Sequence, residues 1–286
     1  ISDATEATVY FVNETSFNGF DKNPVSEGSD YINAVADDAW HLANYSYDQI
    51  RQRHIADYST LFNRLSLNLD GYKEDTLRTT EQQLRDYTDK HEYNPYLETL
   101  YFQYGRYLLI SSSRTPGVPA NLQGLWNKSL TPPWRGNYTV NINIEENYWP
   151  AEVANLSEMV NPLNDYVKGL SVTGKYTAQH FYGINTGWCV GHNSDIWAMS
   201  NPVGDGYDSP SWADWNMGGA WLVNTLWDHF EFTRDRNYLL QTAYPLMKGA
   251  SDFCLAWLID NPKKPGELIT APSTSPENIY ITDTGY

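Results

Sequence analysis

The strongest constraint on the fold is a succession of helix-length segments in the second part of the chain. From Pro95 onward apolar residues recur at helical spacing. The first segment is Leu97 to Ser111, with Leu100, Tyr104, Leu108 and Ile110 roughly on one face. Ile144 to Ala154, Pro162 to Leu170, Thr173 to Phe181, Gly218 to Phe232 and Asn237 to Asp260 follow. No α/β alternation, nucleotide-binding loop or fixed-period repeat interrupts the series. Long aromatic loops with polar clusters join the segments. That arrangement predicts an α/α toroid, in which loops at one end converge on a central pocket. An ordinary helical bundle fits the same periodicity.

Upstream of Pro95 the pattern changes. Residues 31–66 read as helix, and the polar stretch Gly71 to Asn94 reads as a connector with a short helix inside it. Ala7 to Val12 is strand-like and leaves through Asn18-Gly19-Phe20 and Asn23-Pro24. One strand cannot make a sheet by itself, so it reads as the last strand of something upstream. The expected parts are 1–28, a helical linker over 29–94, and a helical domain over 95–286 that is truncated at its C-terminus.

Lys and Arg number 19 against 35 Asp and Glu, for a net charge of −16. That balance argues against nucleic acid and anionic membrane as partners. No apolar run approaches the ~18 residues a membrane span needs. Cys189 and Cys254 lack metal-ligand spacing and read as two buried thiols, with a disulfide as the alternative. No metal site or cofactor is implied.

The stretch Thr139-Val140-Asn141-Ile142-Asn143-Ile144-Glu145 alternates polar and β-branched residues. As an extended segment it would set Asn141 and Asn143 on one face and the branched residues on the other. A half-buried edge strand is one reading. The other is a polar comb that holds a hydroxyl-rich ligand or a water. Trp134 and Tyr148-Trp149 flank the comb, and the chain holds 11 Trp, 22 Tyr and 9 Phe. Rings stack on the apolar face of a pyranose while amides and carboxylates bind its hydroxyls, so the neighbourhood suits a sugar.

Two further clusters carry chemistry. In Thr270-Ala271-Pro272-Ser273-Thr274-Ser275-Pro276-Glu277-Asn278 the two prolines restrict the backbone and display Glu277 at a turn. Such a carboxyl suits proton transfer, or it is a plain helix cap. In Gly191-His192-Asn193-Ser194-Asp195-Ile196-Trp197, with Trp212 and Trp215 downstream, His192, Asp195, Trp197 and Trp215 are candidate sugar contacts. A satisfied structural histidine is the competing reading of His192.

Several runs together resemble glycoside hydrolase family 95. They are Pro119 to Asn127, Asn141-Ile142-Asn143, Asn147 to Glu152, His192 to Trp197, Met217 to Trp221 and Pro272 to Asn278. They stand in the family's order and cover roughly residues 100–280. Residues 1–95 look like the family's β-sandwich exit and helical linker. The resemblance implies a mainly α fold in which this chain supplies about half of an (α/α)6 barrel. It also implies an inverting exo-α-L-glycosidase acting on α-L-fucosides or α-L-galactosides of oligosaccharides or polysaccharides.

In that family the Glu of the Pro-Ser-x-Ser-Pro-Glu-Asn motif is the general acid, here Glu277. The two Asn of the Asn-x-Asn motif, here Asn141 and Asn143, hold the attacking water. A distant Asp, outside this chain, polarises one of them. Inversion needs acid and water on opposite faces of the sugar, ~6.5–9.5 Å between the two groups. As acid, Glu277 is expected to be partly desolvated among Trp and Tyr.

Fucosidases of the family often carry His two residues before the first motif Asn. Thr139 stands there instead, which leans the reading toward L-galactose with its extra C6 hydroxyl. The remainder of the same polypeptide is an implied partner, and a secreted or periplasmic address suits a glycan-degrading enzyme. The alternatives are a non-catalytic carbohydrate-binding fragment and another α/α-toroid enzyme such as a polysaccharide lyase. A lyase needs a cationic or metal-assisted clamp, and residues 141–146 are acidic.

Overall fold

The computed structural model describes residues 4–125, 127–204 and 207–278, so Trp126, in the run Pro119 to Asn127, lies outside the described residues. The chain divides into two compact units, Ile1–Asn63 and Arg64–Tyr286.

The first unit holds α1 (Tyr31–Ala43) and α2 (Tyr47–Phe62). The single helix expected over 31–66 is two. Ser46 accepts from the Gln49 N–H while the Gln49 side chain binds the Ser46 N–H, and this capping box restarts the helix. Ala7 to Val12, read as a strand of something upstream, forms no ladder among the described residues. Nothing among the described residues pairs with that backbone, and Val9 and Phe11 are exposed.

The second unit begins with α3 (Thr80–Asp89), the short helix expected inside the connector, and α4 (Pro95–Ser112). Asn94 caps α4 and Pro95 opens it, where a missing N–H costs nothing. The expected apolar face of α4 is not its buried one. Leu97, Arg106, Leu109 and Ile110 are buried, whereas Leu100, Tyr104 and Leu108 are exposed. The helix is apolar around most of its girth, so periodicity could not choose the face that meets α3 and the next helix.

That helix is α5 (Asn143–Val153). The polar comb is therefore not a strand. β1 is only Tyr138–Thr139, the chain turns through 140–142, and Asn143 opens the helix. Ile144, Tyr148 and Ala151 fall at helical spacing and are all at most 1% exposed. The exposed Glu146 complements the positive end of the helix dipole. Those forces outweigh a short period-2 pattern.

The two helices expected over Pro162 to Leu170 and Thr173 to Phe181 are one, α6 (Asn161–Tyr182). Gly183 ends it in a left-handed conformation. β2 (Asn193–Ser194), α7 (Pro210–Ala213) and α8 (Gly218–Thr233) follow. A single turn, α9 (Arg236–Tyr238), leads through a π-turn at Leu239–Ala243 into α10 (Tyr244–Trp257). The expected helix end at Asp260 overshoots. Asn261 precedes Pro262 and is pushed out of the helical region, and Leu258–Asp260 instead forms β3, paired antiparallel with β4 (Leu268–Thr270). No described helix is long and apolar enough to cross a membrane.

The core forms where α6, α8 and α10 meet the segment entering β2. Trp188 is 2% exposed and its indole N–H donates to the Leu246 carbonyl at 3.0 Å. Glycines let the helices close on it. A Cβ on Gly219 of α8 would lie 2.7 Å from the indole, and one on Gly249 of α10 would lie 2.6 Å from it. Gly174 of α6 brings its backbone against Cys189, where a Cβ would meet the carbonyl oxygen at 2.5 Å. Cys189 is buried and Cys254 half-buried, and both are free thiols. Burial pushes both thiols upward, so neither is a ready thiolate.

Gly249→Ala is expected to force Trp188 from its rotamer and cost about 1–3 kcal/mol. Gly105→Ala, in the middle of α4 with open space around it, is expected to add about 0.5–1 kcal/mol. Urea unfolding of the two variants in the full-length polypeptide checks both signs.

Candidate active site

Two loops distant in sequence are joined by β1 and β2. Tyr138 pairs with Ser194, Thr139 with Asn193, and the Val140 N–H donates to the His192 carbonyl at 2.8 Å. The start of α8 closes on the same place. The Gly218 N–H donates to Val190 at 3.2 Å, and a Cβ on Gly218 would lie 2.9 Å from Val140. From α6 the Tyr166 hydroxyl reaches Ser194 Oγ and, at 2.9 Å, the Asp195 carbonyl. Tyr148 of α5 anchors the loop before β1, its hydroxyl accepting from the Ala120 N–H at 2.8 Å and bonding Ser113 at 2.9 Å.

Asn141 and Asn143 therefore sit at the junction of β1, β2 and the start of α5. Asn141 is buried and Asn143 half-buried. Because the chain turns between them, they are not on one strand face; Asn141 precedes the helix and Asn143 begins it. Thr139 is buried and its hydroxyl donates to Asn137 Oδ1 at 2.9 Å, so it offers the site small bulk rather than a free donor.

Glu277 is exposed. The expected desolvation among Trp and Tyr is not found, because its loop lies on the surface with Ser275 Oγ accepting from the Asn278 N–H at 3.2 Å. Its charge is nevertheless felt at His192. Burial holds the His192 imidazole below its ordinary pKa, and the nearby Glu277 charge pulls it back up. His192 meets Trp212 edge to face at 5.7 Å, and its Nδ1 lies 3.2 Å from Asn193 Nδ2. The His192 carbonyl thus ties its loop to the backbone next to Asn141.

The other candidates separate by role. Asp195 accepts from the Trp197 and Met199 N–H groups at 2.9 and 3.2 Å, which makes it the brace of its loop. Trp197 is exposed on that loop. Trp215 is buried, edge-on to Trp221 at 6.5 Å, and acts as wall. Trp134 is exposed, and it and Arg135 adopt left-handed backbone in a 3-10 turn at Pro133–Gly136, a conformation costly for both. A cleft of about 630 Å³ opens between α4 and α5, lined by Tyr101, Tyr104, Asn121, Gln123, Glu146 and Asn147 among others. Neither Asn141 nor Glu277 lines it.

Sequence reading missed three groups here. Asn193 Oδ1, Asn216 Nδ2 and both carboxyl oxygens of Glu145 are buried without a hydrogen-bond partner among the described residues, as is Asn141 Oδ1. Unsatisfied buried polar atoms are uncommon in a folded core and call for a partner. Burial, with the adjacent Glu146 charge adding to it, pushes Glu145 up to about 8 against the pull of its own N–H. Helical spacing was the available signal, since it sets Glu145 on the face of Ile144 and Tyr148. Also unforeseen is the buried pair of Glu152 and His229, 2.6 Å apart, which ties α5 to α8.

Comparison with known proteins identifies the family. The Glycosyl hydrolase family 95 catalytic domain matches residues 46–286. The Alpha-L-fucosidase 2 of Arabidopsis thaliana is 40% identical over all of the chain, which covers 33% of that protein. A Probable alpha-fucosidase A of Aspergillus niger is 34% identical over 96% of the chain and 34% of its own length. The chain thus spans about a third of the length of these curated relatives.

Asp195→Ala removes the acceptor of two backbone N–H groups and is expected to cost about 1–3 kcal/mol. Asp195→Asn keeps one acceptor oxygen and should recover much of the loss. Urea midpoints of the two variants check the order.

Proposed function

The chain belongs to glycosyl hydrolase family 95, and from that footing we propose that it carries the acid and the water-holding amides of an inverting exo-α-L-glycosidase. The substrate class is terminal α-L-fucosyl or α-L-galactosyl residues of oligosaccharides or polysaccharides. Glu277 protonates the departing glycosidic oxygen, and Asn141 and Asn143 orient the water on the opposite face of the sugar. The Asp that polarises an amide lies outside this chain, in the remainder of the same polypeptide, which also completes an (α/α)6 barrel. The exposed Leu100, Tyr104 and Leu108 on α4 support a further helical layer there. A secreted or periplasmic address belongs to the same reading.

One observation carries it. The charge of Glu277 acts on His192, and the His192 carbonyl binds the N–H next to Asn141. That link supports reading a proton donor and a pair of amides from distant parts of the sequence as parts of one site. The exposure of Glu277 fits an acid at the mouth of the pocket, where the leaving group departs. Oriented amides supply geometry rather than basicity. His192, Trp197 and Trp134 offer the rings and donors a pyranose takes, and the small Thr139 leaves room for a C6 hydroxyl. The names of the Arabidopsis and Aspergillus relatives support fucose.

The test is turnover of nitrophenyl α-L-fucoside, nitrophenyl α-L-galactoside and a fucosylated oligosaccharide by the full-length polypeptide, with the first anomer formed read by NMR. Glu277→Gln should lower kcat on the oligosaccharide by about 10²–10⁴-fold, the usual contribution of a general acid. The loss should be smaller on nitrophenyl glycosides, whose leaving group needs less protonation. Sugar binding without turnover, indifferent to Glu277→Gln, would make this a binding module instead. A retained anomer would overturn the water-holding role of the amides.

A further inference from the structure

Glu145 has no part in the reading above, yet it is the most unusual side chain of the site. It is 0% exposed, and neither carboxyl oxygen has a hydrogen-bond partner among the described residues. A bare carboxylate is strongly disfavoured in such a place. As the neutral acid it carries one O–H donor that needs an acceptor. A matching acceptor stands four residues earlier. Asn141 is 4% exposed and its Oδ1 is likewise without a partner. Asn141 comes just before the N-cap residue Ile142, and Glu145 is the third residue of α5. A Glu at the third position of a helix is the one whose side chain folds back over the helix start, as in a capping box.

We propose that Glu145 is a positioning residue for the amide pair, its carboxyl O–H donating to Asn141 Oδ1 and so turning the Asn141 NH₂ toward the water that Asn143 also holds. The proposal rests on the hydrolase reading. An unbraced Asn has two amide orientations of almost identical shape, only one of which presents the right atom. A buried donor behind it selects one.

The charges around Glu145 agree. The elements packed on α5 carry Glu98 and Arg106 on α4, Asp228, His229 and Glu231 on α8, Tyr138 on β1 and Glu158 in the turn Ser157–Val160, and α5 itself carries Glu146 and Glu152. Of these, Glu146 is the one that acts on the Glu145 charge, and it opposes ionisation as burial does. With the folded-state pKa raised to about 8 and an ordinary Glu near ~4.3 in the unfolded chain, the acid's stabilising effect is complete below the lower value. It is lost as pH rises toward the upper one.

The experiment compares Glu145→Gln and Glu145→Leu in the full-length polypeptide, reading kcat and KM on nitrophenyl α-L-fucoside and urea midpoints at pH 5 and pH 8. Gln keeps a neutral donor and should lose at most about tenfold in kcat. Leu keeps the volume but not the donor, and should lose about 10²-fold, the scale of a misplaced reacting group, with KM little changed. The urea midpoint of Glu145→Gln should exceed that of the wild type by a margin that widens from pH 5 to pH 8.

Wild-type kcat in Glu145→Leu would overturn the proposal. So would a Gln variant as damaged as Leu and less stable than wild type at pH 8, since that result requires a paired carboxylate. If the wild type turns over neither α-L-fucoside nor α-L-galactoside, the hydrolase reading fails and the positioning role with it. The urea comparison needs no substrate and separates that failure from a charged Glu145.

Discussion

Trp188, closed in by Gly219 and Gly249, is the contact on which the rest of the second unit depends. A buried indole makes dozens of weak contacts, and it gains them only if the neighbouring backbones come close. Glycine is what permits that approach. The same stretch of chain continues as Cys189, Val190, Gly191 and His192, and those residues carry the carbonyls that bind Gly218 and Val140. The position of the site is thus inherited directly from the core. A shift at Trp188 is passed within four residues to the backbone beside Asn141.

The site combines opposed environments. Glu277 stands in solvent on a turn, whereas Asn141 and Glu145 lie buried at the start of α5. Desolvation governs the buried group, which is why the Glu145 carboxyl is shifted so far and by burial above all. Two carboxyls at one site with different surroundings are a common route to two different proton duties. Here the difference comes from which end of a helix or loop each occupies.

The helical character of the chain was legible because apolar spacing survives in sequence, as α4, α5 and α8 illustrate. Where a strong local cap acts, as at Ser46, the boundary was also written in the residues, although periodicity alone ran past it. The comb at Thr139 to Glu145 was misread because a short alternating stretch satisfies two periods at once, and only packing of Ile144, Tyr148 and Ala151 decides between them. The candidates Asn141, Asn143, His192 and Glu277 came from motif and chemistry. The burial of Glu145 could not, since it depends on α4 and α8 arriving from elsewhere. The exposed face of α4 was unreadable for a related reason, because a helix apolar on several sides does not say which side is covered.

The contrast between the two sides of the site has a consequence for what the reaction tolerates. The amide side is fixed to a helix start and to a two-residue ladder braced by Val140, His192 and Gly218. The acid side hangs on a surface turn held by Ser275. On the proposed reading the rigid side grips the terminal sugar and the compliant side meets whatever that sugar is attached to. Such an enzyme is strict about the sugar it removes and lenient about the glycan that is left behind.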